Sequence, residues 1–318
     1  MSDLPAEFAL IARHFRPLAG PGALDLGDDA AVFAPPAGRE LVVAADAMVA
    51  GVHFLPDDPP DLVGRKLLRT NLSDLAAMAA VPLGYLMTVS APRATPDAWF
   101  AGFAAGLAAD QAEFGVSLLG GDTTSTPGPV SLSLTILGHV APNAALRRAG
   151  AREGDGLWVS GCIGDGALGL LAARGEIADT DGYLAGRYRL PRPRLALGQA
   201  VAGIAHAGLD VSDGLVQDTG HLCRAGGVGA VIEAASVPLS AAARRADRLA
   251  LCLTGGDDYE LLLAVPPGRT AALLAAAARA GVPVSRIGGF HAGPPRVIVR
   301  AADGTDMPFA AGGWSHFG

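Results

Sequence analysis

Apolar and polar positions along the chain follow helical spacing in some stretches and strand-like runs in others. Residues 61–80 and 96–114 place apolar side chains every three or four positions, which predicts amphipathic helices. Short apolar runs bounded by Gly, Pro or Asp predict strands. Further helices are expected at 5–16, 165–174, 193–205, 213–225, 240–247 and 268–280. Strands are expected at 30–33, 41–45, 83–90, 116–119, 130–140, 157–160, 208–211, 228–233, 258–265, 285–290 and 295–300.

This mixture of elements predicts an α/β protein built from two layered domains rather than a bundle or a sandwich. The texture changes at residues 142–154, a polar connector that carries several arginines. We therefore expect an N-terminal domain at 1–142 and a C-terminal domain at 143–318. A chain of 318 residues is long enough to give each its own core.

Composition excludes several classes of protein. The chain is 50% hydrophobic with a mean hydropathy of +0.35, but Pro82 and Gly84 interrupt its longest apolar stretch. That stretch is too short to cross a bilayer, and the N-terminus has no signal-peptide pattern. Three scattered cysteines favour core positions over a disulfide framework or a zinc site. We expect a cytoplasmic protein that does not bind membranes.

Charge limits the partners further. The net charge is −7 and the pI about 5.4, which argues against nucleic acid as a ligand. Lysine occurs once, at Lys66, and no GxxxxGK[ST] sequence is present. If the protein binds phosphates, metal ions and arginines must neutralise them.

One stretch combines an apolar run with glycines and an acid. Residues 116–119 lead into Gly120-Gly121, and Asp122 and two threonines follow. We expect the glycines to turn the backbone and let main-chain N–H groups approach a ligand. Because Asp122 would repel a bare phosphate, a cation is expected between them. The stretch thus favours a site for a metal and a nucleotide.

Other acids repeat this pattern at the ends of apolar runs or on one helix. A single one, such as Asp213 before the 213–225 helix, is more simply explained as a helix cap. The whole set is harder to explain by capping, and carboxylate oxygens suit Mg²⁺. These positions are Gly27-Asp28-Asp29, Asp46, Asp74, Asp210 with Ser212 and Asp213, and Gly255-Gly256-Asp257-Asp258.

Three further residues are candidates for contacts with a ligand. His53 follows Asp46 closely and could contact an anion, although a surface-loop histidine is the simpler interpretation. Arg148 could bind phosphate, and Arg147 beside it is an equal candidate on spacing alone. Trp314 lies among glycines that would leave its ring free to stack on a flat ligand, yet tail aromatics usually anchor the tail.

These motifs, in this order, resemble the thiamine-monophosphate kinases of the aminoimidazole-ribonucleotide-synthetase-like superfamily. The resemblance runs from about residue 7 to the C-terminal tail. It rests on six motifs with similar spacing. They begin at Gly27, Asp46, Asn71, Gly120, Asp210 and Gly255.

The resemblance implies two α/β domains and a homodimer in which the N-terminal sheets join into a barrel-like core. It implies ATP-dependent phosphorylation of thiamine monophosphate to thiamine diphosphate, the last step of thiamine diphosphate biosynthesis, with several Mg²⁺ ions. The implied metal ligands are Asp29, Asp46, Asp74, Asp122, Asp210 and Asp213, of which Asp74, Asp122 and Asp213 would be catalytic. Contacts to ATP would come from Gly121, Asp122, Arg148 and Ser212. Contacts to thiamine monophosphate would come from His53, Asp257 and Trp314.

The chain departs from the family pattern in three places. Ala44-Ala45 replaces Ser/Thr-Thr, which removes any hydroxyl ligand there. Asp257 replaces a glutamate, which shortens the reach of the carboxylate by one methylene. Met78-Ala79-Ala80 replaces Met-Gly-Ala, which we expect to change packing only.

Other functions remain open at this point. Another ATP-dependent enzyme of the superfamily is possible, although the first cysteine is Cys162 and the chain ends His-Phe-Gly, unlike its cysteine-dependent members. A metal-dependent phosphohydrolase would also use clustered carboxylates. The loss of hydroxyls at Ala44-Ala45 keeps a non-catalytic nucleotide-binding subunit in view.

Overall fold

The computed structural model describes residues 6–316, and the chain divides into two compact units. The N-terminal unit contains residues up to 75 and residues 81–143, and the C-terminal unit contains residues 76–80 and those from 144 onwards. Pro5, in the first predicted helix, and Phe317, in the predicted tail, lie outside the described residues. No helix among those described is both long and apolar enough to cross a membrane.

A four-stranded sheet forms the N-terminal unit together with three helices. The strands are β1 (Glu40–Val49), β2 (Val81–Ala91), β3 (Leu118–Ser125) and β4 (Ser131–Val140). The helices are α1 (Ala6–Leu10), which continues as a π-helical turn over Ile11–Phe15, α2 (Pro60–Ala77) and α3 (Asp97–Phe114). The sheet order is β1-β4-β2-β3, with β2 and β3 parallel and the other pairs antiparallel. β1 and β3 are therefore the edges.

The two long helices of this unit pack closely on each other. A Cβ on Gly106 of α3 would lie 2.0 Å from the carbonyl oxygen of Asp61 on α2, so only glycine allows this approach. The buried Asp110 carboxylate accepts hydrogen bonds from Arg69 at 2.7 and 2.9 Å and from Arg65 at 2.8 Å. Because these charges are paired, their burial between the helices is tolerated.

One face of this sheet is buried and the other is open. Leu132, Leu134 and Ile136 alternate along β4 as fully buried residues, and Gly138 of the same strand lies against Leu75 of α2. On the opposite face, Val43 of β1 and Leu86 of β2 are 59% and 41% exposed. The sheet is open, not a closed barrel, within one chain.

Two predictions in this unit are wrong. Gly120 and Gly121 do not turn the backbone but lie inside β3, so Asp122 is within a strand. A Cβ on Gly121 would lie 1.8 Å from the carbonyl oxygen of Met87, so the glycine serves the close approach of β3 to β2. The strand expected at 30–33 is irregular, and Val32 there is 70% exposed.

A six-stranded mixed sheet forms the C-terminal unit. Its strands are β5 (Gly156–Ser160), β6 (Ala207–Asp210), β7 (Gly229–Glu233), β8 (Leu261–Val265), β9 (Val284–His291) and β10 (Val297–Arg300), in the order β10-β7-β9-β5-β8-β6. Its helices are α4 (Asp165–Ala173), α5 (Tyr183–Arg189), α6 (Leu195–Ala200), α7 (Leu215–Gly226), α8 (Ala241–Ala246), α9 (Leu249–Thr254) and α10 (Thr270–Ala280). The sequence did not predict α5 or α9. Cys223 and Cys252 are fully buried, as expected, whereas Cys162 is only partly buried.

The departure from the family pattern at Met78-Ala79-Ala80 lies just after the end of α2 and affects the backbone. Ala79 has a φ of +60°, and its N–H donates to the carbonyl of Ala76 at 3.1 Å. A left-handed residue just after a helix is most often glycine, because a Cβ strains that conformation. The expectation that this change affects packing only is therefore wrong, since it strains the backbone.

Replacing Ala79 by glycine should therefore relieve strain. Ala79→Gly is expected to leave stability unchanged or raise it, because the relief of about 1 kcal/mol offsets the loss of one buried methyl group. Ala80→Gly is the matched control, since Ala80 is fully buried and has no positive φ. Thermal melts should place A79G above A80G by several degrees, and the reverse order would contradict the assignment of strain.

Candidate active site

Acids from two parts of the N-terminal unit meet at one cavity. This cavity, of about 550 Å³, is lined by Asp28 and Asp29 and by residues 120–123 of β3, which include Gly121 and Asp122. The N–H of Asp29 donates to the Asp28 carboxylate at 3.0 Å, and both side chains are exposed. Apolar side chains such as Phe15 and Met87 form the rest of the wall. The site therefore combines an apolar wall with a rim of carboxylates.

Asp46 lies elsewhere in the same sheet. It is inside β1, opposite Leu134, whereas Asp122 is inside β3, opposite Thr88. Two strands lie between these edges, which at a strand spacing of about 4.8 Å puts the two backbones on the order of 14 Å apart. One chain therefore does not bring Asp46 and Asp122 together.

His53 lies in the turn that follows β1. Its Nδ1 accepts the N–H of Val49 at 3.0 Å, so the proton of a neutral ring is on Nε2. Its carbonyl oxygen accepts a hydrogen bond from Lys66 at 3.0 Å. The lone lysine of the chain therefore supports the backbone of this turn.

Asn71 and Asp74 follow each other at a spacing of three residues on α2. Asn71 is fully buried, and its amide nitrogen donates to the carbonyl of Leu67 at 2.9 Å. Among the described residues, its Oδ1 has no hydrogen-bond partner. Asp74, which is only partly buried, lies on the same helix face. A buried acceptor without a partner is uncommon and marks this helix face as a candidate ligand position.

A short loop in the C-terminal unit carries three of the predicted residues. Asp210 ends β6, and Ser212 and Asp213 follow in residues 211–214, which we call the aspartate loop. Asp213 does not cap α7, contrary to the capping interpretation, because the N-cap position is occupied by Gly214. Instead, the Asp218 carboxylate accepts the N–H groups of Asp213 and Gly214 at 3.1 and 3.0 Å.

Electrostatics at this loop are unfavourable without a counter-ion. Burial, then the nearby charges of Asp210 and Asp213, raise the pKa of Asp218 to about 7. Asp213, Asp218 and His221 offer ligand atoms within 4.8 Å of one another. No other trio of acidic, histidine or cysteine residues in the described part of the chain is so close. Asp218 and His221 were not predicted from the sequence, although a spacing of three on α7 puts them on one face.

Arginines surround His221. Burial, with Arg224 and Arg148 nearby, lowers the pKa of His221, and Arg224 donates to its Nδ1 at 3.0 Å. Arg148 itself is exposed. It is therefore accessible to an anion, as is the equally exposed Arg147 beside it.

Main-chain hydrogen bonds attach two more segments to the aspartate loop. The N–H of Asp257 donates to the carbonyl of Ser212, and the N–H of Trp314 donates to that of Asp213, both at 2.9 Å. Gln217 bridges Asp213 and Trp314 through bonds of 3.1 and 2.8 Å from its amide nitrogen. Trp314 is 55% exposed. These predicted metal, ATP and substrate residues therefore lie together.

Asp257 belongs to a segment, residues 257–260, whose even-numbered acids are buried. Asp258 accepts the N–H groups of Gly164 and Gly166 at 2.7 and 2.9 Å, at the start of α4. Glu260 is paired with Arg187 and Arg194, and Ser160 donates to it at 2.5 Å. Asp258 and Glu260 therefore have structural partners inside the unit. Asp257 is the one acid of the three that is partly exposed.

Burial raises the pKa of Asp258 to about 8, well above the ordinary value of 3.8 for an aspartate. The Asp258 carboxyl group then ionises near pH 4 in the unfolded chain and near pH 8 in the folded protein. The free energy of unfolding therefore falls as pH rises between these values. Melting temperatures of wild type and Asp258→Asn, measured without ligands from pH 5 to 8, test this. The advantage of wild type should shrink as pH rises, and a constant or growing advantage would contradict the raised pKa.

Family models match both units. The model "AIR synthase related protein, N-terminal domain" matches residues 27–140, and "AIR synthase related protein, C-terminal domain" matches residues 152–300. The chain is 47% identical over 323 residues to the thiamine-monophosphate kinase of Caulobacter vibrioides, covering 98% of this chain and 91% of that relative.

Solved structures give the same result. The crystal structure of thiamine-monophosphate kinase from Stenotrophomonas maltophilia has a TM-score of 0.84 and 40% identity, covering 95% of this chain and 98% of that one. The structure of AaThiL complexed with AMPPCP and TMP has a TM-score of 0.79 and 28% identity, covering 92% and 91%. The mixed α/β, two-domain fold expected from the sequence is thus confirmed.

Proposed function

Because the chain belongs to the thiamine-monophosphate kinase family of the AIR-synthase-related proteins, we propose that it transfers the γ-phosphoryl group of ATP to thiamine monophosphate. The products are thiamine diphosphate and ADP. The observation that carries this proposal is the convergence of Ser212, Asp213, Asp257 and Trp314 through main-chain hydrogen bonds. In the related AaThiL complex an ATP analogue and TMP are bound together.

The proposed contacts to ATP are Gly121, Asp122, Arg148 and Ser212. Gly121 and Asp122 line the cavity of the N-terminal unit, and Arg148 and Ser212 belong to the C-terminal unit. Arg148 is exposed and suits phosphate oxygens, which a guanidinium binds through paired hydrogen bonds.

The chemistry of the acids fits Mg²⁺. Burial, then the charges of Asp210 and Asp213, raise the pKa of Asp218, and a cation bound to these three oxygen donors would relieve the repulsion among them. On α2, the unpartnered Oδ1 of Asn71 accompanies the Asp74 carboxylate. We propose that Asp29, Asp46, Asp74, Asp122, Asp210 and Asp213 are the ligands of several Mg²⁺ ions. When bound, Mg²⁺ neutralises charge on the transferring phosphoryl group.

The remaining residues act by binding and orienting thiamine monophosphate. Its phosphate has a second pKa near ~6 and is mostly dianionic at neutral pH, so its attack on ATP needs no general base. Trp314 offers a half-exposed ring for stacking on an aromatic ring of the substrate. His53, with its proton on Nε2, can donate to an anionic group. ATP is abundant in the cytoplasm, where we place the reaction.

Product identification tests this function. Incubation with ATP, Mg²⁺ and thiamine monophosphate should yield thiamine diphosphate and ADP in equal amounts by mass spectrometry. Omission of thiamine monophosphate should suppress ADP formation. ADP and inorganic phosphate with the acceptor unchanged would instead identify a phosphohydrolase, and tight ATP binding without product would identify a non-catalytic subunit.

Asp122 should matter for turnover and little for stability. Asp122 is exposed on the rim of the cavity, so Asp122→Asn removes a charge without disturbing the core. We expect kcat to fall at least ~100-fold, on the scale of losing one electrostatic contact to the transition state. The control is Asp57→Asn, since Asp57 is also an exposed acid of the N-terminal unit. The melting temperature of Asp122→Asn should change by no more than that of this control. Equal losses of activity and stability would make Asp122 structural.

We propose that two copies of the chain assemble into a homodimer whose N-terminal sheets close into a barrel. The edge strands are β1 and β3, although Ala19 already bridges the start of β3 at Leu118. The open face exposes apolar residues such as Val43 and Leu86. One chain holds Asp46 and Asp122 too far apart to serve one ion. A dimer that places β3 of one copy beside β1 of the other would join Asp46 of one chain to Asp122 of the other.

Mixed dimers test this arrangement. Asp46→Asn and Asp122→Asn are each expected to be inactive, but a heterodimer of the two variants retains one intact site. Co-expressed with different tags and purified on both, it should regain about half of the wild-type activity per dimer. Homodimers of each variant, treated in the same way, are the controls. No recovery in the heterodimer would show that both acids serve the site of their own chain.

A further inference from the structure

Residues 257–260 alternate between two roles. Asp258 and Glu260 point into the scaffold, where the N-terminal end of α4 and the two arginines hold them. Asp257 and Tyr259 are both left-handed, with φ values of +71° and +52°, and both are partly exposed. Asp tolerates this conformation, but a bulky residue such as tyrosine seldom adopts it. The conformation of Tyr259 must therefore be fixed by its surroundings.

Main-chain hydrogen bonds fix it from one side. The N–H of Tyr259 donates to the carbonyl of Val211 at 2.8 Å, and the N–H of Val211 donates to the carbonyl of Glu260 at 2.8 Å. The N–H of Asp257 donates to Ser212 on the same strip of backbone. Residues 257–260 are thus hydrogen-bonded along their main chain to the aspartate loop. The side chains of Asp257 and Tyr259 extend from this fixed backbone.

The two side chains meet. The Tyr259 hydroxyl donates to Oδ1 of Asp257 at 3.2 Å, a hydrogen bond to a charged acceptor. Because the left-handed turn at residue 259 brings the phenol back towards residue 257, this contact accounts for a strained tyrosine where glycine would fit more easily.

We infer that Tyr259 is a positioning residue that sets the direction of the Asp257 carboxylate for thiamine monophosphate. This inference rests on the proposed function, in which Asp257 contacts that substrate. A carboxylate suits the cationic thiazolium ring or the amino group of the pyrimidine, not the phosphate, since like charges repel. Asp257 is also one methylene shorter than the glutamate of the family pattern, so its direction matters more for its reach.

Steady-state kinetics with Tyr259→Phe, Asp257→Asn and the double variant test the inference. Phe keeps the ring and loses only the hydroxyl. Y259F should raise KM for thiamine monophosphate about 3- to 10-fold. This is the size of effect expected when one hydrogen bond to a charged group is lost and the residue that donated it acts on the substrate only through that group. Its kcat and its KM for ATP should stay within about 2-fold of wild type, since this bond contributes to ground-state binding of one substrate. Adding Y259F to D257N should have no further effect, because the tyrosine acts through the aspartate.

Tyr183→Phe is the matched control. The Tyr183 hydroxyl donates to Asp165 at 2.7 Å, a comparable contact in the same unit that involves no proposed substrate residue. Its KM for thiamine monophosphate should remain at the wild-type value, and melting temperatures of all variants show whether they fold.

Four results would overturn the inference. They are an unchanged KM in Y259F, independent effects of Y259F and D257N, a parallel loss of kcat and of affinity for both substrates, and an unchanged KM in D257N. Formation of thiamine diphosphate by the wild type in the same assay keeps these results separate from a failure of the proposed function.

Discussion

The backbone of the aspartate loop is the constraint on which the candidate residues of the C-terminal unit depend. Its carbonyl groups receive the N–H groups of Asp257, Tyr259 and Trp314, which come from two distant stretches of the chain. The Asp218 carboxylate also fixes the loop, because it accepts hydrogen bonds from two of its N–H groups. Since these bonds involve the main chain, they fix the positions of the segments whatever side chains the segments carry. Ligand-facing residues can then be substituted, as where Asp257 replaces the glutamate of the family pattern, without loss of these main-chain hydrogen bonds.

A second constraint is the acidic charge balance of the chain, which has a net charge of −7 and a single lysine. Four buried or partly buried arginines pair with acids of the scaffold, since Arg65 and Arg69 pair with Asp110, and Arg187 and Arg194 pair with Glu260. Lys66 supports the turn at His53. Two polyanionic substrates therefore need neutralisation from elsewhere, and exposed Arg148 together with Mg²⁺ on the carboxylates can provide it. The same arrangement explains why an acidic protein can act on phosphates.

Sequence reasoning located most elements of the fold and failed where a residue type has two physical uses. Long periodic stretches such as α2 and α3 were predicted within a few residues, because burial of one helix face leaves a clear pattern. Gly120-Gly121 suggested a turn, but glycine also permits close contact between strands, and only the neighbouring carbonyl of Met87 distinguishes the two. The strain at Ala79 was missed for a similar reason, since a backbone angle leaves no trace in composition.

The sequence proposed candidate residues for the site but not their arrangement. The order of the motifs suggested the acids, whereas sheet order placed Asp46 and Asp122 on opposite edges, and strand pairing over long separations cannot be read from one sequence. The sequence pattern alone does not separate Asp257 from its neighbour Asp258. Their separate roles follow from which carboxylates find buried partners.

The central claim is that the carboxylates position and neutralise, while the phosphate of thiamine monophosphate attacks ATP directly. The stereochemical course of transfer tests it most directly. With ATP carrying an isotopically chiral thiophosphoryl group at the γ position, the thiamine diphosphate analogue formed should show inversion at phosphorus. Retention would mean that the group passes through a covalent intermediate on the protein, and the account would then be wrong.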